Sequence, residues 1–128
     1  MSETPLPQRL QIKPGQRIAI LNAPEGYRQL LGQLPAQVIV LDTLKGEFDL
    51  IQAFFTDRAL LRDEALTLKR ALKPGGILWI SYPKLSSSTQ SDLSRDVLWQ
   101  AVAPAGLRPV AQISVDETWS AVRLKPIT

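Results

Sequence analysis

Apolar residues along this chain fall into short continuous runs separated by longer segments in which they recur at helical spacing. Most runs are apolar at nearly every position instead of at every second one, which is typical of strands buried on both faces of a parallel sheet. Turn residues such as Lys-Pro-Gly precede two of these runs. The predicted strands are 17–21, 37–41, 48–55, 77–80, 107–115 and 119–124.

The segment 57–73 is the clearest predicted helix. Leu61, Ala65 and Leu68 fall on one stripe, and acidic residues come early and basic residues late, which matches the helix dipole. A Lys-Pro-Gly-Gly turn follows it. With its flanking strands this helix forms a βαβ unit, whose two strands are parallel and whose crossover is right-handed. Further helices are predicted at 27–34 and from Ser91 or Asp92 onward.

We infer the strand order 2-1-3-4-6-5, with the sixth strand antiparallel. Only residues 116–118 link the last two strands, so these form an antiparallel hairpin. The link between the second and third strands, residues 42–47, is also short, whereas a parallel crossover usually needs about a dozen residues. Either this link is stretched bare along the sheet, which we favour, or the second strand is antiparallel.

Length and composition are those of one globular domain. The chain has 128 residues, 45% of them hydrophobic and 21% charged, and we expect a single domain at 10–128 after a flexible lead-in at 1–9. No apolar run is long enough to cross a bilayer, and the polar N-terminus does not resemble a signal sequence. We therefore expect a cytoplasmic protein that does not bind membranes.

The residue types that are missing exclude several chemistries. Without cysteine or histidine the chain has no thiolate nucleophile and no Ser-His-Asp triad, and no metal site is expected. The net charge is +3, but the basic residues are scattered among acids and do not alternate with aromatic residues. No nucleic-acid partner is therefore expected.

Two sets of motifs resemble known proteins. FDLI, the helix after it and LKRALKPGGILWIS resemble the fourth and fifth strands of class I S-adenosylmethionine-dependent methyltransferases. With NAPEGY, YPK and DETWS, the whole chain resembles an uncharacterised family of short, degenerate methyltransferase-like domains of unknown function. The resemblance implies a Rossmann-like α/β fold, a three-layer α/β/α sandwich with a mostly parallel sheet and an antiparallel last strand. One edge strand and its helix are missing.

The resemblance implies a cofactor site at the loop after the first strand and at the end of the second. In this chain the corresponding residues are Asn22, Ala23, Glu25, Gly26 and Asp42. The loop departs from the glycine-rich pattern, because NAPEGY contains one glycine and a proline. Asp42 matches the acid that binds the ribose hydroxyls in that fold; the alternative is an acid that merely ends a strand.

A second candidate site combines Tyr82 and Lys84 with Asp116, Glu117 and Trp119. The fourth and sixth strands are neighbours in the predicted order, so these residues share the carboxyl edge of the sheet. One interpretation is a small anionic or aromatic ligand held by Lys84 and Trp119, with the serine-rich loop as a lid. The other is a salt-bridged hairpin in which Trp119 fills the end of the core.

Three functions are compatible with these features. We favour a domain without methyl transfer activity, with no catalytic residue and no cofactor, that binds an unknown small molecule or protein partner. The alternative is a minimal S-adenosylmethionine-dependent methyltransferase, and the third is a structural subunit of a complex. The second strand would be an apolar edge without a protective lysine or proline, which predicts a homodimer through Val38, Ile39, Val40 and Leu41.

Overall fold

The computed structural model describes residues 4–127 and contains one six-stranded sheet with helices on both faces. The strands are β1 (Arg17–Leu21), β2 (Ile39–Leu41), β3 (Phe48–Phe54), β4 (Leu72–Pro83), β5 (Leu107–Ser114) and β6 (Trp119–Pro126). The helices are α1 (Leu6–Arg9), α2 (Tyr27–Leu31), α3 (Arg58–Arg70) and α4 (Arg95–Val102), which continues into a 3₁₀ turn (Ala103–Ala105). Within the described residues no helix has the length and hydropathy needed to span a membrane.

The sheet has the order β2-β1-β3-β4-β6-β5, which confirms the predicted topology. β1 to β4 are mutually parallel, and β6 is antiparallel to both β4 and β5. β2 pairs with β1 in parallel, with Ile18 opposite Val40. The short link 42–47 is therefore stretched along the sheet, as favoured, and its Leu44 packs against the core.

The central strands are continuously apolar because both faces of the sheet are covered. Successive side chains of a strand point to opposite faces, and in β3 Ile51 contributes to the core under α3 and α4 while Leu50 contributes to the core under α1 and α2. The helices meet these faces with side chains such as Leu61 and Leu31. The result is the predicted three-layer α/β/α arrangement.

α3 begins where a polar side chain can satisfy its free backbone N–H groups. The Asp57 carboxylate accepts hydrogen bonds from the backbone N–H groups of Ala59 (2.8 Å) and Leu60 (3.3 Å), which caps the helix. β4 then starts at Leu72, earlier than the predicted 77–80 strand. The Lys-Pro-Gly-Gly segment is an irregular part of this strand, because the pairing with β3 shifts register there.

The N-terminal segment, predicted as a flexible lead-in, contains a short helix, and its flexibility stays a prediction. Over the described residues it contains α1, whose Leu6 is buried, as is Leu10 just after the helix. The Leu10 carbonyl accepts a hydrogen bond from Trp79 Nε1 (3.0 Å), and Arg9 Nη1 donates to the Ser114 carbonyl (2.6 Å). A four-residue helix carries too little periodicity to be recognised in a sequence. Residues 1–3 lie outside the described residues.

β2 is the edge strand that the sequence predicted. It pairs only with β1 in the described sheet, and its Ile39 side chain is 57% exposed. Its three residues make it a short edge, which is one of the ways in which proteins limit unwanted strand pairing. The homodimer through this edge stays a prediction.

Candidate functional site

A cavity of about 670 Å³ lies where β1 and β2 end. This β1–β2 cavity is formed by the loop after β1, the second residue of α2 and the end of β2. Ligands of open α/β sheets bind at this carboxyl edge, and the volume lies within the range of about 300–1,000 Å³ that is typical of ligand sites. The cavity is lined by Ile20, Asn22, Ala23, Arg28, Val40, Leu41 and Asp42.

The loop from Asn22 to Gly26 turns the chain away from β1 through two left-handed backbone positions. Asn22 has φ +59° and Gly26 has φ +82°. Glycine adopts this conformation freely and asparagine tolerates it better than other side chains do. The loop thus keeps turns of the kind that glycines provide, although it contains only one glycine.

The structure brings together three of the five residues predicted for the cofactor site, namely Asn22, Ala23 and Asp42. Glu25 and Gly26 lie in the same loop but do not line the cavity; Glu25 is exposed and Gly26 precedes α2. The cofactor role of all five stays a prediction. Arg28 was missed, and the signal that could have identified it is a cation in the first turn of the helix after the loop.

A buried chain of hydrogen bonds anchors the end of this loop to the centre of the sheet. The Tyr27 hydroxyl donates to Gln52 Oε1 (2.6 Å), and Gln52 Nε2 donates to Ser81 Oγ (3.0 Å). All three residues are buried. Burial raises the pKa of the Tyr27 phenol well above its ordinary value. Tyr27 therefore stays neutral and fixes the start of α2.

A second cavity of about 430 Å³ adjoins the first at Asn22, on the side of the sheet that α3 covers. We call it the Leu44 cavity. Most of its lining is apolar, and it receives side chains from the stretched 42–47 link as well as from α3. Its lining residues are Leu21, Asn22, Thr43, Leu44, Phe55, Leu60, Glu64 and Leu68.

A third, polar cavity of about 690 Å³ lies at the end of β3, between the start of α3 and residues 87–92. We call it the hydroxyl cavity, because it is lined by Thr56, Asp57, Ser87, Ser88, Thr89, Gln90, Ser91 and Asp92.

Hydrogen bonds hold the serine-rich loop against the start of α3. Asp92 Oδ1 accepts from the Arg58 N–H (2.7 Å), and Ser91 Oγ donates to the Thr56 carbonyl (2.9 Å). The Asp92 N–H donates to the same carbonyl (3.2 Å). One wall of the hydroxyl cavity is therefore tied to the scaffold.

The second predicted constellation lies at the same edge but is organised differently from the salt-bridged hairpin. Lys84 Nζ donates to Ser114 Oγ (2.7 Å), and within the described part of the chain it forms no ion pair with Asp116 or Glu117. Asp116 Oδ1 accepts from the Trp119 N–H (2.7 Å) and so closes the hairpin turn. Because the Asp116 carboxylate binds the backbone of its own turn, it does not pair with Lys84.

The aromatic members of that constellation belong to the core. Trp119 is buried and meets Phe54 edge to face, with ring centroids 5.1 Å apart, so it fills the end of the core as the second interpretation expected. Tyr82 is also buried, and its hydroxyl accepts from Gln112 Nε2 (3.2 Å). Glu117 is exposed on the turn. Ligand binding by these residues stays a prediction.

Comparisons with solved structures identify the fold. The DhpI–SAH complex superimposes with a TM-score of 0.65 at 13% identity, over 95% of this chain and 82% of that chain. A ribosomal protein L11 methylase from Lactobacillus delbrueckii subsp. bulgaricus gives 0.63 at 16% identity, over 93% and 73%. A SAM-dependent methyltransferase from Aquifex aeolicus gives 0.62 at 15% identity, over 91% and 85%.

Sequence comparison adds nothing to this result, since no family model and no curated protein matches the chain. Identities this low relate the proteins by fold alone. The strand order, the antiparallel last hairpin and the structural neighbours agree with one another. The chain has the methyltransferase-like Rossmann fold.

Proposed function

We propose that this protein binds S-adenosylmethionine in the β1–β2 cavity and acts as a minimal S-adenosylmethionine-dependent methyltransferase. The observation that carries the proposal is the convergence of Asn22, Ala23 and Asp42 on one cavity at the carboxyl edge. A carboxylate can bind the hydroxyls of a ribose, and a loop backbone beside it can lie against the amino-acid chain that the ribose carries. The structural neighbours, one of them an SAH complex, favour this function over the inactive binding module that the sequence alone favoured.

The residues present fit this cofactor. Asp42 would accept hydrogen bonds from the ribose hydroxyls, and the backbone between Asn22 and Gly26, with its two left-handed positions, would lie against the amino-acid end. The Leu44 cavity offers an apolar slot for the flat adenine base, with Leu44 and Phe55 in its walls.

The hydroxyl cavity is the place for the methyl acceptor in this proposal. It lies at the end of β3, the strand beside β1, so an acceptor there would be next to the cofactor site. Its lining of hydroxyls, an amide and carboxylates favours a polar acceptor. The cofactor supplies an activated methyl group, and the protein contributes mainly by holding the two reactants in line, which can account for a large part of such a rate enhancement.

Isothermal titration with S-adenosylmethionine and S-adenosylhomocysteine tests the cofactor site. We expect binding in the micromolar range that Asp42→Ala abolishes and Asp42→Asn weakens. Asp63→Asn is the matched control, because this acid lies exposed on α3, outside the three cavities. No binding to the wild type at millimolar ligand would refute the proposal.

Production of S-adenosylhomocysteine separates an enzyme from a binding module. Incubation with S-adenosylmethionine and a panel of polar acceptors should yield the demethylated product in the wild type, and less of it in Asp42→Ala. Tight binding without product across the panel would favour the module without methyl transfer activity.

A further inference from the structure

Arg28 brings a positive charge into the β1–β2 cavity that the proposed function does not use. It is the second residue of α2, is exposed, and lines the cavity. Its backbone position is set by the preceding residue, because Tyr27 is buried and bonded to Gln52 (2.6 Å). The anchored backbone of α2 therefore places this guanidinium at the cavity.

Within residues 4–127, the charges of the cavity form no ion pair and no side-chain hydrogen bond. Among the described residues the ion pairs are Arg62–Asp63 and Lys73–Asp49, and no side-chain hydrogen bond there involves Arg28 or Asp42. The two side chains come from different elements, α2 and the end of β2. The cavity thus offers one cation and one anion, and both are free to bind a ligand.

This pattern of charge describes the ligand. A carboxylate such as that of Asp42 accepts hydrogen bonds from hydroxyls, whereas the planar guanidinium offers paired donors that match a carboxylate. A neutral nucleoside would use only the first group. A nucleoside that carries an anionic end group would use both.

We propose that Arg28 is a specificity-determining residue that binds the carboxylate of the ligand's amino-acid end, so that the cavity selects nucleosides bearing an amino acid over neutral nucleosides. This inference rests on the proposed function and deepens it.

Three probes that share adenosine test the inference by isothermal titration. S-adenosylhomocysteine carries the carboxylate, 5′-methylthioadenosine keeps the thioether but lacks the amino acid, and adenosine 5′-monophosphate carries a phosphate. Arg28→Gln should weaken binding of S-adenosylhomocysteine about tenfold, a typical loss for a charge-assisted pair, and change binding of 5′-methylthioadenosine less than about twofold. The affinity of Arg28→Lys for S-adenosylhomocysteine should lie between those of the wild type and Arg28→Gln, because lysine keeps the charge but loses the paired donors.

Arg70→Gln is the matched control, since this exposed arginine ends α3 at the opposite edge of the sheet. Thermal melting of each variant shows whether it is folded as the wild type is. Equal losses for S-adenosylhomocysteine and 5′-methylthioadenosine in Arg28→Gln, or no loss for either, would overturn the inference and leave the proposed function intact. Tighter, Arg28-dependent binding of the monophosphate would overturn it in favour of a phosphate. If no probe binds the wild type at millimolar concentration, both proposals fail.

Discussion

The two ends of β1 use neighbouring charged side chains in opposite ways. At the amino edge, where β1 and β3 begin, Asp49 Oδ2 accepts from the Arg17 backbone N–H (2.8 Å) and pairs with Lys73 Nζ (3.3 Å). The Arg17 guanidinium lies 4.3 Å from the centre of the Phe48 ring and donates to the Glu47 carbonyl (2.7 Å). Each of these charges is engaged by the fold itself.

At the carboxyl end of β1, the two charges of the β1–β2 cavity remain available. Arg28 and Asp42 line one cavity without a side-chain hydrogen bond or ion pair to the rest of the described chain. Both edges belong to the same strands, so the difference comes from the loops. The comparison teaches that stability at one edge and binding at the other can be altered separately.

Tyr27→Phe should have the largest effect, because it removes the donor that anchors the binding loop. Gln52 would lose its buried partner, and a buried acceptor left without a donor costs about 1–3 kcal/mol, so we expect about 2 kcal/mol less unfolding free energy by urea denaturation. Tyr82→Phe is the matched control. Its partner, Gln112, is exposed on β5, and equal losses in the two variants would contradict the anchoring role.

The same tyrosine predicts a loss of stability in alkali. Burial raises the pKa of Tyr27 above its ordinary value of 10.0, so the folded state holds this proton more tightly than the unfolded state does. The contribution of the buried neutral phenol to the unfolding free energy is present below pH 10.0 and is lost as the pH rises above that value. Unfolding free energy measured from pH 8 to 11 should fall less steeply in Tyr27→Phe than in the wild type.

Asn22 tests whether the backbone of the carboxyl edge matters for binding. A branched side chain is strained at φ +59°, and we expect Asn22→Val to lose about 1–2 kcal/mol of unfolding free energy together with affinity for S-adenosylhomocysteine. Asn22→Gly relieves the strain and should keep both. A valine variant with unchanged stability and affinity would show that the left-handed turn is not required.

Asp49→Asn should have the smallest effect and should leave binding untouched. Because the hydrogen bonds at the amino edge become weaker, the unfolding free energy should fall by about 1 kcal/mol at neutral pH. The Arg17 backbone N–H, aided by Lys73, holds the pKa of Asp49 below its ordinary value of 3.8, although desolvation opposes the shift.

The lowered pKa also fixes the direction of the pH effect. The contribution of Asp49 is present above pH 3.8 and disappears as pH falls below that value, through the lower pKa of the folded state. Denaturation at pH 2 to 5 should therefore be less pH-dependent in Asp49→Asn than in the wild type, with Asp63→Asn as an exposed control. A loss of S-adenosylhomocysteine affinity in Asp49→Asn would contradict the separation of the two edges.

Much of the fold was predictable because its signals are local. The apolar runs, the dipole-matched helix and the short final link predict a parallel sheet that ends in an antiparallel hairpin. α1 was not predictable, since its stability comes from Leu6 and Leu10 packing against distant parts of the sheet. The strand start at Leu72 was missed because a Lys-Pro-Gly-Gly segment is typical of a turn.

The candidate site divides along the same line. The sequence by itself determined that Asn22 and Ala23 follow the first strand and that Asp42 follows the second. The structure decided that β2 is parallel to β1, so that these residues share one edge. Only the tertiary structure decided that Arg28 joins them, that Lys84 meets Ser114 instead of an acid, and that Trp119 is core. Those outcomes depend on how side chains from distant segments meet once the loops are folded.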